Sequence, residues 1–217
     1  MSATLARTLS SPAHRLLWAA AVVGTALIVL SSWAYVLPSG SHPFLDERPS
    51  LANWPVWRIA LAAHVAGGIV CLPAGLVLVS PRAVTAWPAL HTGLGRLYAA
   101  LFVVVLFPTG VLLAGFAKGG WLTGPGFFLS AVFGTGALLW SIRLVRQGDV
   151  AGHRAWMLRS YAQLASAITF RIVHLVLQLA ALPYDPSYAA SLWASVLGNA
   201  VLAEIIIAQS TRTGGRP

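Results

Sequence analysis

Apolar positions run almost unbroken through six stretches, Leu16 to Leu37, Trp57 to Val79, Leu94 to Ala117, Gly126 to Ile142, Trp156 to Leu182 and Tyr188 to Gln209. About 20 helical residues cross about 30 Å of hydrocarbon, so the pattern predicts six transmembrane helices. The connections are short except for Pro38 to Pro55, which carries the local charge run Asp46, Glu47, Arg48. Short connections favour sequential antiparallel neighbours and hence one bundle. Trp18, Trp33, Trp54, Trp57, Trp87, Trp121, Trp156 and Trp193 fall near the span ends, where an aromatic belt anchors a helix at the membrane surface.

Composition agrees. With 58% hydrophobic and 9% charged residues and a mean hydropathy of +0.77, the chain falls far from a soluble domain, which is about a quarter charged. The fold class expected is an all-α integral membrane protein. A net charge of +9 invites a nucleic-acid reading, but its distribution argues against one. Arg7, Arg15, Arg82, Arg96, Arg143, Arg146, Arg154, Arg159, Arg212 and Arg216 all fall on one side of a six-span arrangement. Arg48, Arg58 and Lys118 fall on the other, with Arg171 inside a span. By the positive-inside rule both termini are expected in the cytoplasm. This gives a cytoplasmic tail over 1–15, a transmembrane domain over 16–209 and a second tail over 210–217. The first span is too long for a typical signal peptide and is read as uncleaved. The single cysteine, Cys71, excludes an internal disulfide and a thiolate zinc site and is read as packing.

Pro73 and Pro108 sit mid-span in the similar runs Leu72-Pro73-Ala74-Gly75-Leu76 and Phe107-Pro108-Thr109-Gly110-Val111, each expected to kink its helix. In the fifth span Gln163, Ala167, Arg171, His174 and Gln178 recur at helical spacing and form one polar stripe, which should face protein.

Four histidines lie in or at the mouths of these spans, and an ionisable group there needs a partner or a function. His64 and His174 are expected at matching depth in one leaflet, and His91 and His153 precede the third and fifth spans at the opposite surface. His153 and His174 are about 31 Å apart along one helix and cannot share a ligand. Two pairs, one per leaflet, are what two bis-histidine b-haems require, with glycines making room and arginines such as Arg171, Arg96 and Arg154 near the propionates; Arg82 and Arg159 are further candidates. The plainer reading is that the histidines hydrogen-bond across helices, His64 to Gln178 for example. Zinc or copper would also accept imidazole, yet no Cys, Met or carboxylate lies near His64 and His174 to complete a set. Glu204 is read as the partner of a cytoplasmic arginine, and His14 and His42 as solvated loop residues.

His64 with Gly67 and Gly68, then His91-Thr92-Gly93-Leu94-Gly95-Arg96-Leu97-Tyr98, then His153-Arg154-Ala155-Trp156-Met157-Leu158-Arg159-Ser160-Tyr161 and Thr169-Phe170-Arg171 resemble a bacterial family of predicted membrane proteins, family 2306 of the domains of unknown function. The resemblance covers roughly 64–174. Thr92 stands where the family more often carries Arg. The resemblance implies the multi-helix architecture and weight on the three histidine motifs, and it implies no reaction.

The expected function is transmembrane electron transfer through haem b in a bacterial inner membrane, with quinone or a redox protein as partner and no nucleic acid. Two alternatives stand beside it: a non-enzymatic assembly or helper subunit whose basic loops bind anionic lipid, and a small transporter whose kinked helices line a pathway.

Overall fold

Every spanning helix starts ahead of the apolar stretch that predicts it. The computed structural model describes residues 12–37, 43–80 and 85–214. Helix α1 is Pro12–Ser31 and continues, after Ser32, through the turn Trp33–Val36. Two short turns, Pro43–Asp46 and Pro49–Ala52, precede α2 at Pro55–Leu78. Helix α3 runs Pro88–Leu101, passes through a π-helical turn at Phe102–Leu106 and finishes as Phe107–Ala114; α4 is Gly124–Arg146, α5 Val150–Leu179 and α6 Tyr184–Gly214. The described residues are helical throughout their regular structure, and six helices are long and apolar enough to cross a membrane. Prolines sit in the first turn of α2, α3 and α4, where the missing N–H costs nothing.

Helices α3 and α5 start earlier than the apolar runs suggest. The Asp149 carboxylate accepts from Gly152 N at 2.8 Å and caps α5, a polar signal that hydropathy does not register. His91 and His153 therefore lie one turn inside their helices rather than ahead of them. The two proline runs also differ in form. Pro73 is accommodated within α2, whereas Pro108 is preceded by the π turn of α3, whose wider winding adapts the backbone hydrogen bonds to a residue that cannot donate.

Sequential helices pack against one another, most extensively α4 with α5 and α5 with α6. Cys71, Tyr98, Phe102, Leu106 and Leu138 form the central core, with Met157 and Leu164 of α5 packed against it. Cys71 is fully enclosed there. Trp57 departs from the belt expectation. It is 1% exposed and packs with Leu45 and Leu61, because the turn Pro43–Asp46 folds over the start of α2 and covers its ring. Arg58 ties the same end together by donating to the carbonyls of Tyr35 and Leu37 at 3.1 and 3.3 Å. Glu204 does pair with an arginine, Arg159, through bonds of 2.6 and 2.9 Å, and Arg159 also stacks over Trp156.

An even number of crossings puts the ends of the chain at one end of the bundle, hereafter the terminal end. The turns containing Glu47, Arg48 and Lys118 lie at the other, the loop end. Arg7, His42, Arg82 and Arg216 and the side chains of His14 and Arg212 lie outside the described residues.

Gly75 marks a close helix approach in the central core. A Cβ there would overlap the Tyr161 ring and approach Tyr98 at 3.1 Å, whereas a Cβ at Gly136 meets nothing within 4 Å. We therefore expect Gly75→Ala to destabilise the bundle by about 1–3 kcal/mol through overpacking and Gly136→Ala to leave it unchanged, as read from thermal unfolding in detergent.

Candidate functional site: a cavity with a histidine in its wall and a cationic mouth

The site is set up by the defect at Pro108. Thr109, the next residue, turns its hydroxyl back along its own helix to donate to Val105 O at 2.6 Å. With its proton committed, Thr109 Oγ1 is an acceptor for His64 Nδ1, 3.0 Å away on α2. The proton of the neutral imidazole is thereby held on Nδ1, and Nε2 keeps the lone pair. Gly110 makes the approach possible: a Cβ there would lie 3.3 Å from His64 Cε1. The expected cross-helix bond from His64 to Gln178 is replaced by this one, since the partner is the proline-adjacent threonine.

His64 lines a cavity of about 660 Å³ whose walls come from all six helices, within the roughly 300–1,000 Å³ of small-molecule sites. Its lower part is apolar, with Leu72, Phe102 and Leu106, and includes Ser130, which donates to Gln163 at 3.0 Å. Gly68 also faces it, and a Cβ at Gly68 would meet nothing within 4 Å. Toward the loop end the lining changes to Tyr35, Arg48, Lys118, Arg171, His174, Tyr184 and Tyr188. The stripe on α5 therefore faces protein as its spacing predicts: Gln163, Ala167, Arg171 and His174 all line this space.

His64 and His174 share the cavity but not a level. A Cβ at Gly110 would touch both His64 and, at 3.8 Å, Ala131, so these three lie at one depth. Between α4 and α5, Phe127 packs on Phe170 at 6.5 Å and a Cβ at Gly134 would meet Gln163 at 3.3 Å. That antiparallel register sets Ala131 opposite Ser166, which leaves His174 about 12 Å nearer the loop end than His64. Matching depth, expected from residue counting, fails because the helices extend beyond their apolar runs by unequal amounts. His174 instead sits in an aromatic cage, stacked on Phe170 at 5.8 Å with Tyr184 and Tyr188 edge-on at 5.0 and 5.6 Å. Its Nδ1 is buried without a hydrogen-bond partner among the described residues.

At the terminal end the levels do match. Tyr98 lies beside Ser160 and Tyr161, and one heptad back on each of these parallel helices are His91 and His153. The two rings are close enough to interact electrostatically, with Arg154 also in range of His91. His153 Nδ1 lies 2.8 Å from Ser141 Oγ and 3.2 Å from Ser141 O, while His91 Nδ1 is buried and unpartnered among the described residues. No group of three or more His, Cys, Asp or Glu side chains forms a metal cage among the described residues. Arg96 lies on α3 near the terminal end and does not approach the cavity lining.

The cationic mouth was not legible in the sequence beyond Arg171. Arg48 donates to Phe116 O at 2.6 Å and stands over the Phe44 ring. Lys118 pairs with Glu47 at 2.6 Å and lies 4.0 Å from the Tyr184 ring centre. Burial pulls the Lys118 ammonium down, but its hydrogen bond to Glu47 and the field of Tyr184 outweigh it and hold the group above the ordinary lysine range. The Lys118 charge is thus held at neutral pH and is lost as pH rises through that elevated value.

The family model described as predicted membrane protein (DUF2306) matches residues 61–207. The chain belongs to this family. The matched segment reaches beyond the expected 64–174 and takes in α2 to α6, and so most of the cavity wall. No curated protein and no solved structure matches the chain.

Thr109→Val keeps the shape at position 109 and removes the acceptor. We expect the His64 ring to lose its fixed tautomer, seen as a shift of its two ring-nitrogen resonances toward each other in histidine-labelled protein. Unchanged resonances would show that Thr109 does not set the proton.

Proposed function

We propose that this DUF2306 protein is a haem b-binding electron carrier of the bacterial cytoplasmic membrane. The observation that carries the reading is the combination at the loop-end cavity: an imidazole with Nδ1 engaged and Nε2 carrying its lone pair, in the wall of an amphipathic cavity whose mouth holds three cations. A hydrogen bond on the far ring nitrogen is the usual support of a metal-ligating histidine, because it fixes ring orientation and raises basicity. Bound haem would supply a one-electron couple whose potential the pocket's polarity and axial ligand tune. His64 would hold the iron in this reading, Arg171, Arg48 and Lys118 would offer charge to the propionates, and Gly68 would leave room for the group.

His174, about two turns above His64, serves the mouth rather than the iron. The fit is therefore to one protein ligand at this site, not to the bis-histidine pair that residue spacing suggested. His91 and His153, level with each other, are the second station, with Arg154 beside them. Electrons would pass between a cytoplasmic or quinone partner at the terminal end and an acceptor at the loop end, with the termini in the cytoplasm as the arginine distribution favours. The helper-subunit and transporter alternatives both require no bound cofactor.

Protein produced with added haem should show a Soret band that sharpens on dithionite reduction. His64→Ala and His91→Ala should each remove about half of the haem measured per polypeptide. Purified, folded protein with no Soret absorption would end the haem reading.

A further inference from the structure

Arg171 is a cation without an acid. Its Nη1 donates at 2.9 Å to Ala167 O of its own helix, and no carboxylate pairs with it among the described residues, although it faces an aromatic-walled cavity in a membrane span. Such placement is costly unless an anion completes it. The neighbouring cation, Lys118, is completed, but by Glu47, which comes from the turn region before α2 rather than from the bundle. The Glu47 side chain is 51% exposed against 21% for Lys118, so the carboxylate approaches the mouth from outside. Its segment is tied down nearby by Arg48 on Phe116 O.

We infer that the mouth is a gated carboxylate site: Glu47 holds on Lys118 the place that the carboxylate of an amphipathic ligand takes, and the ligand's entry displaces the Glu47 side chain. Charge complementarity selects the head of the ligand, and the apolar lower cavity selects its body. Arg171 receives a second oxygen or a second carboxylate, with Tyr35 and Tyr188 beside it. An ion pair with an exposed carboxylate such as Glu47–Lys118 is weak, which suits a contact that a ligand must displace. The inference rests on the proposed reading for the cavity as a ligand site and needs no iron; haem propionates and fatty-acid carboxylates present the same chemistry.

The test uses full-length, haem-free protein in detergent, with cis-parinaric acid as a fluorescent carboxylate amphiphile and stearate or octadecanol as competitors. Stearate should displace the probe at least about tenfold better than octadecanol. Arg171→Gln should weaken probe binding about tenfold, consistent with losing a charge-assisted contact, and Arg171→Lys should recover part of it. Glu47→Gln, which removes the internal competitor from an exposed position, should tighten binding by about two- to fivefold. Equal competition by the alcohol, or probe binding unmoved or weakened by Glu47→Gln, overturns the proposal even if Arg171→Gln does not fold. In protein produced with added haem, His64→Ala should lower the haem measured per polypeptide by about half. Loss of the Soret signal alone with Arg171-dependent acid binding retained therefore removes the iron and leaves the gate.

Discussion

A helix inside hydrocarbon has no water to complete a broken backbone bond, and Pro108 breaks one. What surrounds His64 follows from that constraint. The helix widens into a π turn ahead of the proline, Thr109 folds its hydroxyl onto Val105 O, and the oxygen so committed accepts from His64 Nδ1. Gly110 leaves space for the ring. The oriented imidazole, with Nε2 as its unassigned nitrogen, thus sits beside the backbone defect, near the middle of α2.

The bundle supports this arrangement by dividing its length into two regimes. Between Tyr98 and Leu106 the core is dense, with Cys71, Tyr98 and Leu138 almost fully enclosed, and Gly75 lets Tyr161 pass close to α2. Beyond that layer toward the loop end the helices part around the cavity, and aromatic rings rather than aliphatic side chains fill the space between α4, α5 and α6. Tyrosines suit such a wall because they offer a wide apolar face and a hydroxyl at the wet end. Arg159, stacked on Trp156 and paired with Glu204, fastens α5 to α6 toward the other end.

The six spans, their order and the inward-facing stripe of α5 could be read from apolar run length and helical spacing alone. Helix starts could not, because Pro88 and the Asp149 cap begin α3 and α5 in polar sequence that a hydropathy window discards. The same shortfall carried over to the histidines. His91 and His153 retain equal depth because both helices extend by a similar amount, whereas His174 is displaced from His64 by a register between α4 and α5 that only packing determines. Thr109 looked like part of a proline motif, and its role depends on a contact across 45 residues of sequence. Glu47, Arg48 and Lys118 looked like solvated loop charges, and their convergence over the cavity is a property of the folded loop end.

The central claim is that the loop-end cavity is a ligand site rather than a packing fault. Native mass spectrometry of the protein released gently from its own membrane tests it most directly, compared with Gly68→Trp, which fills the cavity from a position where a side chain meets no neighbour. The account predicts a bound mass on the wild-type chain that is absent from the folded variant. Identical ligand-free masses for both would contradict it.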